Sequence, residues 1–179
     1  VTIHRHDYQA PDYRVERVDL RFELGEEETL VTATLDVRRN YADEQRSRPL
    51  HLNGVALDLR DVRIDGEALA LDEYLLSDEG LSIEQVPHSF ELTTTVAIHP
   101  ENNTELQGLY RSGGMFCTQC EAEGFRRITF FPDRPDVMAR YRTTIIAEQT
   151  RYPVLLSNGN PVDSGTLDDG RHWITWDDP

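Results

Sequence analysis

Lysine is absent from this 179-residue chain: all 18 basic side chains are arginine, set against 33 aspartates and glutamates for a net charge of −15. A surface this acidic repels phosphate backbones and argues against a nucleic-acid partner. The missing lysine itself reads equally well as salt adaptation or as a biased codon pool. Cysteine is nearly absent too, and two thiols make no disulfide framework. No apolar run approaches the roughly 18 residues of a membrane span, so no membrane partner is expected. The opening VTIHRHDYQAPDYRVER lacks the charged-then-apolar pattern of an export signal, which makes a cytoplasmic address the default expectation.

Catalytic signatures are equally scarce. The chain has no His-Glu-x-x-His, no Gly-rich phosphate loop and no recognisable nucleophile context around a serine or cysteine. Cys117 and Cys120 do form a Cys-x-x-Cys. A structural zinc site needs four ligands, however, and the six histidines show no ligand-like spacing. A thioredoxin-type dithiol would follow a strand and open a helix, whereas Glu121-Ala122-Glu123-Gly124 leads into what reads as another strand. The two cysteines are expected to pack, not react. Neither catalytic nor metal-binding residues are expected in these 179 residues.

What the chain does have is alternation. Val18, Leu20, Phe22 and Leu24 interleave with Asp19, Arg21 and Glu23, and Val31, Ala33, Leu35 and Val37 interleave with Thr32, Thr34 and Asp36. These are half-buried strands, joined as an antiparallel hairpin through the acidic turn at Gly25–Glu28. Further short strands are expected near Leu50–Leu52, Leu57–Ile64, Gly80–Ile83, Phe90–Ile98, Ile128–Phe131, Tyr141–Glu148, Val154–Ser157 and His172–Trp176. Turn chemistry such as Asn53-Gly54, Asp65-Gly66 and Asp169-Gly170 separates them. Short helices are expected only at Asp72–Leu76 and Asp133–Arg140. The fold class is therefore all-β, an antiparallel β-sandwich or saddle of sheets with minor short helices, in one domain spanning 1–179.

One constellation stands out. Glu121 and Glu123 sit among small and uncharged residues, with Gln119 two positions before Glu121. A carboxylate beside a glutamine amide suits an ammonium group through charge-assisted hydrogen bonds. A solvated loop glutamate fits the same pattern and is the commoner case.

The surrounding segment, GLYRSGGMFCTQCEAEGFRRITFFPDRPDVMARY, carries three ordered motifs: Gly108-Leu109-Tyr110, Thr118-Gln119-Cys120-Glu121 and Phe131-Pro132-Asp133-Arg134-Pro135-Asp136. In these it resembles the N-terminal domain of the bacterial aminopeptidase N family, zinc exopeptidases of the gluzincin type. RHDYQAPDYRV, YPVLLSNGNPVDSG and GRHWITWDDP resemble the same domain, so the similarity runs through nearly the whole chain. The resemblance implies a β-rich saddle over a separate thermolysin-like catalytic domain. That domain would bind the zinc and supply the general base, and this chain would stop just before it. The resemblance also implies peptide substrates with a free N-terminus. Glu121 would help hold the substrate α-ammonium, and Gln119 would line the pocket for the first side chain. On this reading the enzyme is a metallo-aminopeptidase, and the fragment alone is inactive. A free-standing β-sandwich module for a carbohydrate or a protein partner would explain the strand pattern equally well, but it leaves the ordered motifs to chance.

Overall fold

Alternation sets the two longest strands. In the computed structural model, which describes residues 4–42 and 48–179, β1 (Tyr13–Glu23) buries Val18, Leu20 and Phe22 and turns Arg17 and Arg21 to solvent. A bulge between Val15 and Arg17 re-phases the strand, so Tyr13 and Val15 reach the same core as the even-numbered residues after it. β2 (Thr29–Arg39) pairs with β1 and buries Thr29, Val31, Ala33, Leu35 and Val37.

The chain continues through β3 (Leu50–Asn53), β4 (Asp58–Ile64), β5 (Glu67–Ala68), β6 (Leu75–Ser77), β7 (Gly80–Ile83) and β8 (Ser89–Ile98). After these come β9 (Gly108–Ser112), β10 (Met115–Gln119), β11 (Arg140–Glu148), β12 (Asn160–Thr166) and β13 (Arg171–Asp178). Eight strands form one sheet in the order β12-β13-β11-β1-β2-β8-β4-β5. A second sheet has the order β3-β7-β6, and β9 and β10 make a separate ribbon. The long sheet and the β3-β7-β6 sheet share one core, in which Val31, Leu35 and Leu92 meet Leu50, Leu81, Ile83 and Phe130. On the other face of the long sheet, threonines pair across strands: Thr32 with Thr95 and Thr34 with Thr93, each at 3.2 Å. No helix among the described residues is long and apolar enough to cross a membrane.

The all-β class stands as expected, with specific departures. β1 and β11 run parallel, Arg17 opposite Arg140 through Glu23 opposite Ile146, in an otherwise antiparallel sheet. The strand expected at Ile128–Phe131 is a 3-10 turn at Phe125–Arg127 followed by a buried run, with a single bridge from Phe131 to Asn53. Ile128, Thr129, Phe130 and Phe131 are all buried, so they fill the sandwich from within and lack the alternation of a sheet edge. The helix expected at Asp133–Arg140 does not form. Pro135 disfavours the helical region for the residue before it, Arg134, and the segment stays irregular up to β11. Asp72–Leu76 gives a turn and then β6, and Val154–Ser157 is coil. β5, β9, β10 and β12 are strands beyond those expected from alternation. β9 and β10 meet at Ser112-Gly113-Gly114-Met115, where both glycines take positive φ, the two-residue hairpin turn that glycine pairs favour.

Candidate functional site

The β9–β10 ribbon carries the residues of interest and is tied down at both ends. Near its turn, Glu26 from the acidic β1–β2 loop accepts three donors: Tyr152 Oη at 2.7 Å, Arg111 Nη1 at 3.0 Å and Arg151 Nη2 at 2.8 Å. The Tyr152 hydrogen bond leads in holding the Glu26 carboxyl below its ordinary range, with both arginines adding to it. Phe116 packs on Tyr152 with ring centroids 5.1 Å apart, and the Arg111 guanidinium lies over the Phe116 ring. At the open end, Asn103 Nδ2 donates to the carbonyls of Gln107 (2.7 Å) and Leu109 (2.8 Å).

Gln119 is the last residue of β10, paired opposite Gly108. Beyond it the chain turns tightly: the Gly124 N–H donates to the Cys120 carbonyl at 2.8 Å. Glu121 stands in this turn, joined to Ala122 by a cis peptide bond. Gln119 Nε2 donates to the Glu121 main-chain carbonyl at 2.9 Å, so the two residues singled out in the sequence touch. Both are exposed.

Cys120, between them, turns inward against the core. Burial pushes its thiol up to about 11, and the nearby Asp133 carboxylate adds to the shift. A thiol that keeps its proton at neutral pH is a poor nucleophile and a poor metal ligand. Cys117 and Cys120 are both free thiols. Among the described residues, no group of three or more His, Cys, Asp or Glu side chains is placed to hold a metal ion.

Glu121 also lines a cleft of about 780 Å³ between the ribbon, the 153–158 segment and the sheet at β1 and β11. Leu20, Phe22, Phe125, Phe131 and Ile145 make its wall apolar, and Asp133, Tyr141 and Asp178 add polar groups. Burial, with Asp133 adding, raises the Tyr141 hydroxyl to about 12. At the rim Met115, Val154 and Leu156 are 63%, 69% and 73% exposed. Chemically, the arrangement is equipped to bind a cation beside apolar surface. Supporting residues that the sequence pattern does not mark are Glu26, Arg126 and Asn53. The Pro132-Asp133-Arg134-Pro135 spacing is the one signal that leads toward Arg126.

Comparison with known proteins gives the family of the chain. Residues 9–179 match the family model for the Peptidase M1 N-terminal domain. Aminopeptidase N of Caulobacter vibrioides is 51% identical over 173 residues, which cover 97% of this chain and 20% of that protein. Aminopeptidase N of Escherichia coli K12 is 49% identical over 177 residues, 98% of this chain and again 20% of that protein. The crystal structure of Legionella pneumophila aminopeptidase A in complex with aspartic acid superposes with a TM-score of 0.90 at 38% identity, covering 97% of this chain and 20% of that one. An M1 zinc metallopeptidase from Deinococcus radiodurans shares the fold with a TM-score of 0.77 at 15% identity, covering 95% of this chain and 40% of that one. The chain thus spans about a fifth of the length of the aminopeptidase N proteins it matches. With the match running over nearly every residue, from before β1 to the end of β13, the chain belongs to the Peptidase M1 N-terminal domain family.

Proposed function

We propose that the chain is the first domain of a larger zinc-dependent aminopeptidase, which removes N-terminal residues from peptides, and that its part is to anchor the substrate α-ammonium. The observation that carries this reading is the placement of Glu121. It is an exposed carboxylate at the mouth of an apolar cleft, on a turn whose main chain Gln119 holds. An ionised carboxylate at a fixed place selects a free amine, because each hydrogen bond to a charged group contributes about 1.5–3 kcal/mol. A blocked N-terminus cannot make it. Among the described residues no group is placed to hold a metal ion, and on this reading the zinc and the hydrolytic step belong to a separate catalytic domain. The exposed rim at Met115, Val154 and Leu156 suits contact with that domain, as exposed apolar patches mark interaction surfaces. A cytoplasmic role in peptide breakdown belongs to the same proposal, and two free cysteines accord with a reducing compartment.

The test is Glu121→Ala in the full-length enzyme. Loss of about 2–3 kcal/mol should lower kcat/KM for amino-acyl anilides by roughly two orders of magnitude. Unchanged kinetics would remove Glu121 from the site. The fragment alone should neither hold stoichiometric zinc nor cleave the anilide, and either result would overturn the domain assignment.

A further inference from the structure

Glu121, Ala122 and Glu123 are exposed, and the turn they form is held by the hydrogen bond from Gly124 to Cys120 and by Gln119 Nε2 on the Glu121 carbonyl. A binding carboxylate needs more than this, because misplacement by about 1 Å can cost as much as 10²-fold in rate. Two residues after the turn, Arg126 is tied to a different part of the chain. Its main-chain N–H and its Nε both donate to Asp133 Oδ2, at 3.1 Å and 3.0 Å, and its Nη2 donates to the Asp133 carbonyl at 3.1 Å. The two side chains are only 20% and 14% exposed, so this pair is far better shielded from water than the ordinary surface ion pairs of this domain. Arg126 Nη2 also stands 3.5 Å from the Glu123 carboxylate, inside the turn itself.

Asp133 is in turn fixed from behind. Its N–H donates to Asn53 Oδ1 at 3.1 Å, and Asn53 exchanges two main-chain hydrogen bonds with Phe131. The Val55 N–H donates to the Arg126 carbonyl at 2.9 Å. Pro132 and Pro135 restrict φ on either side of Asp133, so the turn that presents it loses little freedom on folding. Arg126 thus reaches from the loop into a frame made by the end of β3 and the Asp-x-Pro turn.

We infer that the Arg126–Asp133 pair, braced by Asn53, is the positioning device for Glu121 and sets where its carboxylate meets a substrate ammonium. The inference rests on the amine-anchor reading above. Asp133 lines the cleft, but its Oδ2 and its carbonyl are taken up by donors of Arg126, so the pair acts on substrate through Glu121. It does so along the main chain between Cys120 and Arg126, and the ammonium contact itself stays with Glu121. Their loss should be felt as misplacement of the amine site, with the zinc chemistry on the other domain left intact.

The experiment uses the full-length zinc enzyme and two inhibitors: an aminoacyl hydroxamate with a free α-amine and its des-amino analogue. Arg126→Ala and Asp133→Asn are measured beside Glu121→Gln, the asparagine variant keeping the side-chain shape so that the fold is retained. Positioning predicts that both variants weaken the amine-bearing inhibitor about 10-fold and leave the des-amino compound within 2-fold of wild type. KM for an amino-acyl anilide should rise in step, with kcat changed less than about 3-fold, as expected for loss of binding common to ground and transition states. A merely structural role would weaken both inhibitors equally, or lower only the melting temperature, and either result overturns the inference. If Glu121→Gln loses the discrimination while Arg126→Ala and Asp133→Asn keep it, the inference fails and the amine anchor survives. If Glu121→Gln itself keeps wild-type discrimination, the amine-anchor reading fails first.

Discussion

Gly124 offers a sharp test of how tightly the Glu121 turn is built. Its φ of −86° and ψ of −16° are open to any residue, so an alanine there carries no conformational penalty of its own. By the usual effect on the unfolded chain, Gly124→Ala would stabilise the domain by about 0.4–1 kcal/mol. Space reverses that expectation. An added Cβ would lie 2.5 Å from the Gln119 carbonyl oxygen, 2.9 Å from Cys120 Cα and 3.2 Å from the Gly108 nitrogen. All three are main-chain atoms, in the paired ribbon or one residue beyond it, and cannot rotate away, so the Gln119–Cys120 backbone must shift. Overpacking of this kind costs about 1–3 kcal/mol. Taken at the middle of each range, the net loss is about 1.3 kcal/mol, which for a domain of this size lowers Tm by about 3–5 °C. Because the shift falls on Gln119 and its neighbour, kcat/KM of the full-length enzyme should fall at least 10-fold as well. The comparison variant is Gly66→Ala, at φ +85° with nothing within 4 Å of the added Cβ. It should cost about 1 kcal/mol through backbone strain alone and leave the kinetics unchanged. Thermal unfolding followed by circular dichroism, together with anilide kinetics, gives both readouts. A Gly124→Ala protein as stable as wild type with unaltered kinetics would refute the close packing described here.

The titrating groups supply two more tests. Because burial raises the Cys120 thiol to about 11, it should resist iodoacetamide at pH 8 in the folded domain, and alkylation at the rate of an ordinary cysteine would contradict its inward placement. Glu26 is held below the ordinary carboxylate range in the folded state. The stability it contributes is therefore fully present above the unfolded carboxylate pKa of about 4.3 and is lost as pH falls through the folded value. Urea unfolding should show a shallower acid loss in Glu26→Gln than in wild type, and parallel pH profiles would remove the Tyr152–Arg111–Arg151 network from that role.

The parts of the fold written by side-chain period were legible in the sequence. β1, β2 and β8 each bury one face, and the alternation of their residues is enough to mark them as strands. The failures share a cause. Ile128–Phe131 and Val154–Ser157 are apolar runs without alternation, and apolarity alone does not say whether a segment pairs in a sheet or fills the space between two. β12 fails the other way. Asn160–Thr166 is an edge strand with six exposed residues, a proline and a glycine, so it carries no burial pattern to read. The parallel contact of β1 with β11 joins segments more than a hundred residues apart and leaves no local mark.

The candidate site was legible to a different depth at each layer. Gln119 and Glu121 stand out because a polar amide and a carboxylate interrupt a stretch of small residues, and ordered motifs on either side give them a setting. The layer beneath is hidden because its chemistry is ordinary. Arg126 is one of six arginines between Phe125 and Arg151, where the sequence shows only a local surplus of positive charge. The structure divides that surplus by depth. Arg134 and Arg142 pair with Asp136 and Asp177 at the surface, and Arg151 with Glu26, where partly solvated ion pairs contribute little. Arg126 faces Asp133 in the shielded frame of Asn53 and Phe131. Sequence spacing cannot separate the buried pair from its neighbours. Burial can, and it turns a charge-rich segment into a scaffold with one enclosed ion pair behind one exposed carboxylate. Exchanging Arg142, which lies outside the cleft, for glutamine should therefore leave amine recognition untouched, while the same exchange at Arg126 should not.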